Sequence, residues 1–267
     1  MDSKYKGVII IILAIALIYL LINPTSTHEK IDIVGSTSVQ PLAEKLANAY
    51  MENHSDVRIN VQGGGSGMGI RSTTQGIADI GMSSKELSND EKTDINVVEI
   101  GKEGIVIAVN NGNQISDLTT EEIRDIFNGK IKNWKELGGS DLEIHVITRE
   151  EGSGTRSAFE SIVMDNTEMK SDAVVQSSTE AVKQSVASDP GAIGFVSLAH
   201  MSNDVKPLFV NGIEPSDETV ANGEYLLQRP FLFLIKGENT ATVKEFLDWI
   251  KSPEGIKIIE NENIVPT

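Results

Sequence analysis

The chain has 267 residues, a formal net charge of −16 and no cysteine. The lack of cysteine excludes disulfide bonds, thiolate metal sites and a cysteine nucleophile. The acidic balance argues against a nucleic-acid-binding protein, because such proteins need a basic surface to neutralise phosphates.

The N-terminal segment contains an unbroken apolar run over residues 8–22, preceded by Lys4 and Lys6 and followed by a polar break at Asn23. A basic flank, an apolar run and a break are typical of a secretory signal or a signal anchor. No small-x-small cleavage site follows, so an uncleaved anchor is favoured over a cleaved signal. Residues 1–28 are therefore predicted to be a signal or anchor segment with its linker. The rest of the chain is predicted to be extracytoplasmic, periplasmic or on the cell surface, and tethered to the membrane by residues 8–22.

Hydrophobic periodicity predicts alternating strands and helices from residue 29 onward. Two capping boxes, Thr119 with Glu122 and Ser177 with Glu180, predict the starts of two of the helices. The predicted elements in chain order are strand 31–34, helix 41–52, strand 57–61, helix 68–74, strand 78–82, strand 103–109, helix 119–127, strand 143–148, helix 155–164, helix 177–187, strand 192–196, an apolar strand after Pro230, and helices 242–251 and 253–260.

Strand–helix alternation with short loops predicts an α/β fold with mainly parallel sheets. Two long apolar strands, around Ile107 and around Leu232, bracket the middle of the chain and are candidates for a two-strand hinge between lobes. On this interpretation one lobe comprises residues 29–106 plus 231–267, and the other comprises 107–230. The alternative is a single α/β sheet with both strands in its core.

Three segments rich in Gly, Ser and Thr each follow a predicted strand and open a predicted helix. They are residues 35–38, 63–67 and 152–155. Each supplies free backbone N–H groups at a helix start together with hydroxyl donors, and glycine lets the backbone approach a ligand closely. This combination suits an oxyanion. The alternative for each segment alone is a well-capped loop, because the same residues are the commonest at helix starts.

Other glycine-rich and catalytic signatures are absent from the sequence. The segment GGGSGMG lacks the Lys-Ser/Thr ending of a P-loop and the spacing of a dinucleotide fingerprint. Neither Ser66 nor Ser153 stands in a nucleophile elbow. The four histidines are scattered without metal-ligand spacing. The sequence therefore predicts no cofactor and no metal.

Two charged side chains are candidates for selecting the anion. Arg149 precedes the third glycine segment, and its guanidinium can hold two oxygens of an anion in parallel. The alternative is a surface ion pair with Glu150 or Glu151. Asp79 is an acid within an apolar strand and is a candidate acceptor for the proton of phosphate. Sulfate carries no such proton at neutral pH, so this carboxylate would reject it. The alternative for Asp79 is a turn residue at the strand end.

Taken together, these segments resemble the phosphate-binding proteins of high-affinity phosphate ABC transporters. The resemblance implies a two-lobed, type II periplasmic-binding-protein fold, preceded here by the N-terminal hydrophobic anchor helix. The family's lipid-modified cysteine is absent. The segments that carry the resemblance are GSTSVQP (35–41), QGGGSGMGI (62–70), IADIGMSS (77–84), IFNGKIKNW (126–134), REEGSGTRSAFE (149–160) and DPGAIGFVS (189–197).

The resemblance also implies roles for individual residues. Asp79 is expected to be the carboxylate that accepts the proton of phosphate, and Glu151 to be the supporting acid that pairs with the arginine. The expected phosphate ligands are Thr37, Ser38, Ser66, Asp79, Arg149, Ser153, Gly154 and Thr155.

The expected function is a monomeric binding protein that captures inorganic phosphate between its lobes. It would deliver phosphate to the membrane permease of an ABC importer and its ATPase. Binding of another oxyanion, such as sulfate or molybdate/tungstate, is one alternative. A phosphatase-like hydrolase with Ser153 or Thr37 as nucleophile is another, although no paired base supports it. A sensor or scavenger that works without a permease is the third.

Overall fold

The computed structural model describes residues 29–238 and 240–267. The predicted anchor, residues 1–28, lies outside them. Within the described ranges no helix is long and apolar enough to cross a membrane. The helices are α1 (Gln40–Asn53), α2 (Ser66–Thr74), α3 (Thr120–Phe127), α4 (Gly154–Phe159), α5 (Thr179–Ser188), α6 (Asp217–Ala221), α7 (Ala241–Ile250) and α8 (Pro253–Glu260). The strands are β1 (Glu29–Gly35), β2 (Val57–Gly63), β3 (Ile80–Ser83), β4 (Ile95–Asn110), β5 (Asp117–Leu118), β6 (His145–Arg149), β7 (Val174–Gln176), β8 (Ala192–Ser197), β9 (Val205–Pro207), β10 (Phe209–Val210) and β11 (Gln228–Lys236).

The main sheet has the strand order β2-β1-β3-β11-β4-β8-β6-β7, and β9 also pairs with β4. Its two outer parts are parallel, namely β2-β1-β3 and β8-β6-β7. The central strands β11 and β4 run antiparallel to each other, to β3 and to β8. The outer part of the sheet in each lobe is parallel, as predicted, whereas the pairings of the two linking strands β4 and β11 are antiparallel.

Strand β4 is longer than predicted, with 16 residues from Ile95 to Asn110. Its first half is partly exposed, so hydrophobic periodicity does not reveal it. This half pairs with β11 as far as Gly104, and from Ile105 onward β4 pairs with β8 instead. A single strand therefore passes from one part of the sheet to the other.

The buried side chains form two large clusters, which define two lobes. The cluster of the first lobe draws on β1, β3, β11, α1 and α7, with residues between Ile31 and Ile100 and between Phe231 and Ile264. The cluster of the second lobe runs from Ile105 to Leu227. The prediction of lobes at 29–106 plus 231–267 and at 107–230 stays a proposal, which these clusters support.

Helix boundaries confirm one predicted capping box and correct the other. Thr119 and Glu122 form the predicted reciprocal cap at the start of α3. At α5 the cap is Ser178, whose side chain accepts a hydrogen bond from the Ala181 N–H. The predicted cap at Ser177 is therefore one residue too early. The predicted helix 155–164 is α-helical only to Phe159 and continues as a π-helical turn to Met164.

Candidate anion-binding site

The three glycine segments meet where the two lobes face each other. The first two follow the carboxyl ends of β1 and β2 in the first lobe, and the third follows β6 in the second lobe. The Gly67 N–H donates to the Gly152 carbonyl across the interface, at 2.9 Å. Sites at the carboxyl ends of strands are the usual ligand positions of open α/β folds. The fold thus places two donor loops of one lobe against one of the other.

A cluster of buried hydroxyl groups spans the same interface. Ser38 Oγ of the first lobe lies 3.0 Å from Thr155 Oγ1 and 3.0 Å from Thr179 Oγ1, both of the second lobe. All three side chains are buried. Thr179 was not expected from the sequence, although it opens α5 and the predicted capping box lay beside it. Helix α5 therefore brings a further helix N-terminus to the cluster.

Arg149 lies at the end of β6 and is almost fully buried. Its Nη1 donates to Thr179 Oγ1 at 3.0 Å, and its Nη2 donates to Thr37 Oγ1 at 3.2 Å. Its Nε and Nη2 also hold the carboxylate of Glu150 at 2.8 and 2.9 Å. Glu151 was expected in this role, but it lies in the exposed turn that follows. The acid that orients Arg149 is Glu150.

Ser84 is a buried member of the site that sequence reasoning missed. Its backbone N–H donates to Ser66 Oγ at 3.0 Å, and its Oγ accepts from Ser36 Oγ at 2.8 Å. The two hydroxyl oxygens of Ser66 and Ser84 are 3.3 Å apart. Ser84 follows β3, so the rule that located the other loops also applies to it. No glycine marks this loop, so the residue pattern alone does not single it out.

Asp79 does not belong to the site, which corrects the sequence-based expectation. It precedes β3, whereas the cluster lies beyond the other end of that strand. At about 3.3 Å per residue, the five residues from Asp79 to Ser84 separate them by roughly 16 Å. Asp79 is exposed, and its carboxylate accepts a hydrogen bond from the Asp32 backbone N–H at 2.8 Å. Asp79 is thus a residue at the end of the strand, which is the alternative role that the sequence also allows.

Gly154 allows the loops of the two lobes to approach each other. A Cβ at this position would overlap Ser66 Oγ and stand 2.6 Å from Ser84 Oγ. The neighbouring Ser153 is buried, and its side chain caps α4 by accepting from the Arg156 N–H at 3.3 Å. The structure therefore brings together seven of the residues named from sequence. They are Thr37, Ser38, Ser66, Arg149, Ser153, Gly154 and Thr155.

A fully buried ion pair, Arg229 with Glu103, lies behind Ser84. The Nη1 of Arg229 donates to Ser84 Oγ at 3.2 Å. Burial raises the pKa of the Glu103 carboxyl and lowers the pKa of Arg229, and the charge of each partner opposes the shift of the other. Sequence reasoning gave no signal for this pair, because its members are 126 residues apart.

The arrangement suits binding rather than chemistry. It offers hydroxyl donors, one buried guanidinium and helix N-termini, which are the groups that hold an oxyanion. Ser153 Oγ is committed to a helix cap, and Thr37 Oγ1 faces a guanidinium that cannot act as a base. Across residues 29–238 and 240–267, no group of three or more His, Asp or Glu side chains could hold a metal ion.

Comparisons with known proteins place the chain in a family. A family model described as a PBP superfamily domain matches residues 23–254. The phosphate-binding protein PstS of Bacillus subtilis is 36% identical over 239 residues, which are 88% of this chain and 79% of that protein.

Two solved structures extend the comparison. A phosphate ABC transporter substrate-binding protein from Clostridium perfringens, solved with bound phosphate, has a TM-score of 0.87 and 38% identity, covering 90% of this chain and 100% of that one. An ABC-type phosphate transport receptor from Vibrio cholerae has a TM-score of 0.75 and 35% identity, covering 89% and 100%.

The fold and the interlobe site define a substrate-binding protein with the type II periplasmic-binding-protein fold, which binds its ligand and is not an enzyme. The chain belongs to the PBP superfamily and, within it, to the family of phosphate-binding proteins that includes the B. subtilis relative.

Proposed function

We propose that this chain captures inorganic phosphate between its two lobes and delivers it to an ABC-type phosphate importer. The observation that carries the proposal is the buried Arg149, whose guanidinium joins hydroxyl groups of both lobes. A guanidinium at this position supplies charge-assisted hydrogen bonding to an oxyanion. The bound phosphate of the C. perfringens structure supports the choice of ligand.

The proposed phosphate ligands come from loops of both lobes, so the ion is enclosed only when the lobes are together. Ser84 and Thr179 join the set because each is buried and bonded to an expected ligand. Glu150 is proposed to orient the arginine. The ligands are Thr37, Ser38, Ser66, Ser84, Arg149, Ser153, Gly154, Thr155 and Thr179.

With Asp79 outside the site, selection of phosphate falls to the hydroxyl groups. A serine or threonine hydroxyl both donates and accepts, so it can receive the proton of hydrogen phosphate. Sulfate offers no proton and leaves those acceptor positions unused. Hydroxyl groups can also rotate to donate, so we propose that this site disfavours sulfate less strongly than a carboxylate would.

The partners of the protein follow from the same proposal. Passage of phosphate across the membrane requires a permease, and import against a gradient requires its ATPase. Residues 8–22 would keep the lobes close to that permease on the extracytoplasmic side. The protein is proposed to act as a monomer, since both halves of the site come from one chain.

Titration calorimetry of the full chain in mild detergent tests the function. The protein is first unfolded in denaturant and refolded in phosphate-free buffer, which removes bound anion. We expect tight one-to-one binding of phosphate and weaker binding of sulfate at equal pH. Equal or tighter binding of sulfate or molybdate would contradict the assignment of phosphate as the ligand. No detectable binding of any oxyanion would contradict the proposed anion site.

A turnover assay addresses the hydrolase alternative. The wild-type chain is incubated with a generic phosphomonoester, and phosphate release is followed over hours. We expect no release above the rate of buffer alone, because neither Ser153 nor Thr37 faces a base. Phosphate release by the wild type that is lost in a Thr37→Val or Ser153→Ala variant would support the hydrolase alternative.

A further inference from the structure

The buried Arg229–Glu103 pair lies where both linking strands pass between the lobes. Glu103 on β4 and Arg229 on β11 stand directly opposite each other in the strand register. Two residues from each of them in the chain, Ile105 and Leu227 already belong to the core of the second lobe. Both side chains of the pair are almost completely buried. The pair therefore lies where the two linking strands pass from one lobe to the other.

The hydrogen bonds of the pair reach into both lobes. Arg229 Nε donates to Glu103 Oε1 at 2.9 Å, and its Nη2 donates to the same oxygen. The other carboxylate oxygen, Oε2, accepts from Ser197 Oγ and from the Ala199 N–H, both of the second lobe. The remaining nitrogen, Nη1, donates to Ser84 Oγ in the first lobe. An unbroken chain of bonds thus runs from the site loop to the end of β8.

These contacts fix the direction in which the Ser84 hydroxyl points. A hydroxyl has two acceptor lone pairs and one proton. Ser84 Oγ accepts from Ser36 Oγ and from Arg229 Nη1, so both lone pairs are occupied. Its proton is then directed toward Ser66 Oγ or toward the interlobe cleft, where Gly154 closes on it. Ser84 is therefore held as a donor, either to Ser66 or to an anion that enters the cleft.

Stability alone does not account for a charge pair in this place. Well-packed apolar residues of similar volume often replace a buried ion pair with no loss of stability. An apolar pair would pack between the strands, but it would remove the Arg229 contact of Ser84 and would bond neither Ser197 nor Ala199. The contact between the pair and Ser84 therefore indicates a role in the binding site.

We propose that Arg229 and Glu103 are positioning residues, which hold Ser84 as a hydrogen-bond donor to the bound anion and tie its loop to the second lobe through Ser197. Neither residue is proposed to touch the anion. This inference rests on the proposed function, since it assigns a role within the same site.

The test combines the pair with Ser84 in a double-mutant cycle. The pair is replaced as a unit, Arg229→Met with Glu103→Leu, so that no buried charge is left without its partner. Phosphate affinity is measured by calorimetry for the wild type, for Ser84→Ala, for the pair variant and for the combination of all three changes. The control replaces the ion pair of Lys45 and Glu262, which lies away from the site, by Lys45→Met with Glu262→Leu.

We expect Ser84→Ala and the pair variant each to weaken phosphate binding about ten- to a hundredfold, as for a lost hydrogen bond to a charged group. The combined variant should be no weaker than the pair variant, because residues that act through one another are not additive. The control should bind like the wild type. Wild-type affinity in the pair variant, or additive losses in the combination, would overturn the inference. Failure of the wild type to bind phosphate would instead overturn the proposed function.

A second variant keeps the inference testable if the pair variant does not fold. Ser197→Ala removes one hydroxyl at the second-lobe end of the chain of bonds and leaves both charges in place. Thermal unfolding in phosphate-free buffer checks that it is folded. We expect a severalfold loss of phosphate affinity that disappears when Ser84→Ala is already present. An unchanged affinity, or a loss that Ser84→Ala does not remove, would contradict the proposed positioning of Ser84 through this chain of bonds.

Discussion

Two neighbouring acids, Glu150 and Glu151, differ completely in their surroundings. Glu150 holds two nitrogens of the Arg149 guanidinium, while Glu151 is exposed in the following turn. The other side-chain partners of Arg149 are neutral hydroxyl groups. Among the described residues Glu150 is its one charged partner, so this carboxylate makes the strongest contact that orients the guanidinium. This side chain thus decides how far the arginine is preorganised for an anion.

We expect Glu150→Ala to weaken phosphate binding by roughly threefold to tenfold, because a freed arginine side chain must be ordered again on binding. Glu151→Ala is the matched control and should leave the affinity unchanged. Calorimetric titration of both variants at one ionic strength measures the difference. Tighter binding in Glu150→Ala would mean that the acid acts mainly by offsetting the positive charge of Arg149.

His200 is a second residue whose environment has a measurable consequence. Its Nδ1 is buried without a hydrogen-bond partner among the described residues. Burial lowers the pKa of His200 to about 4, with Glu180 acting in the opposite direction and Arg229, Lys183 and Arg149 adding to the shift. The folded chain therefore binds this proton less readily than the unfolded chain, whose histidine titrates near 6.5.

Between about pH 6.5 and pH 4 the unfolded chain holds a proton on His200 that the folded chain lacks, so acid favours unfolding. The free energy of unfolding should fall across this window by up to about 3 kcal/mol on account of this residue. Denaturant unfolding of the wild type and of His200→Gln at several pH values isolates the contribution. The two pH profiles should diverge below pH 6.5, and parallel profiles would refute the assignment.

At the scale of elements, helix α4 begins against the opposite lobe. Its first residue, Gly154, has no room for a side chain, because a Cβ would overlap Ser66 Oγ and crowd Ser84 Oγ. The φ angle is not the constraint here, since Gly154 is helical. The glycine is required for the approach of the two loops and not for the fold of either lobe.

Gly154→Ala should therefore weaken phosphate binding by about a hundredfold or more while leaving thermal stability in phosphate-free buffer close to that of the wild type. The affinity loss follows from lobes that cannot meet, whereas the cores of both lobes are untouched. Gly112→Ala is the control, because a Cβ there would approach only the Asn110 side chain. A large drop in melting temperature for Gly154→Ala would show instead that the glycine serves the local fold.

Sequence reasoning located most elements, because each buries an apolar face with its own period. It missed the first half of β4, which is partly exposed, and it missed the antiparallel pairing of β4 and β11, which no local pattern encodes. The glycine loops and Arg149 were recognisable from their residue types. Ser84 and Thr179 lie at element ends without a glycine to mark them, and the Arg229–Glu103 pair has its role only through a tertiary contact. Asp79 lies at the opposite end of β3 from the site, which the apolar pattern of the strand does not reveal.

At the scale of the whole molecule, an anion site is enclosed in an acidic protein with a net charge of −16. The field of the chain repels an approaching phosphate, while Arg149 and the helix N-termini attract it only at short range. The attraction is buried and weakly screened, whereas the repulsion comes from exposed charges that salt screens strongly. Capture and approach therefore respond differently to ionic strength.

The association rate of phosphate should accordingly rise severalfold between low and physiological ionic strength, since the Debye length shrinks from about 30 Å at 0.01 M to about 8 Å at 0.15 M. Stopped-flow measurements with a fluorescent reporter on an exposed site follow this rate in a buffer that does not compete for the site. The dissociation rate should change little. An association rate that falls with salt would mean that the local positive field reaches beyond the cleft.

The path of β4 and β11 also bears on how the chain acquires its structure as it is synthesised. The core of the second lobe is complete once residue 227 is present, and its residues from Ile105 onward are continuous in sequence. The first lobe lacks its central strand β11 and helices α7 and α8 until the last segment emerges. Until then β3 presents an unpaired edge on one side, and such edges promote association between chains. The part of the molecule that emerges first is thus the part that folds last, and its exposure time is set by the length of the lobe inserted within it.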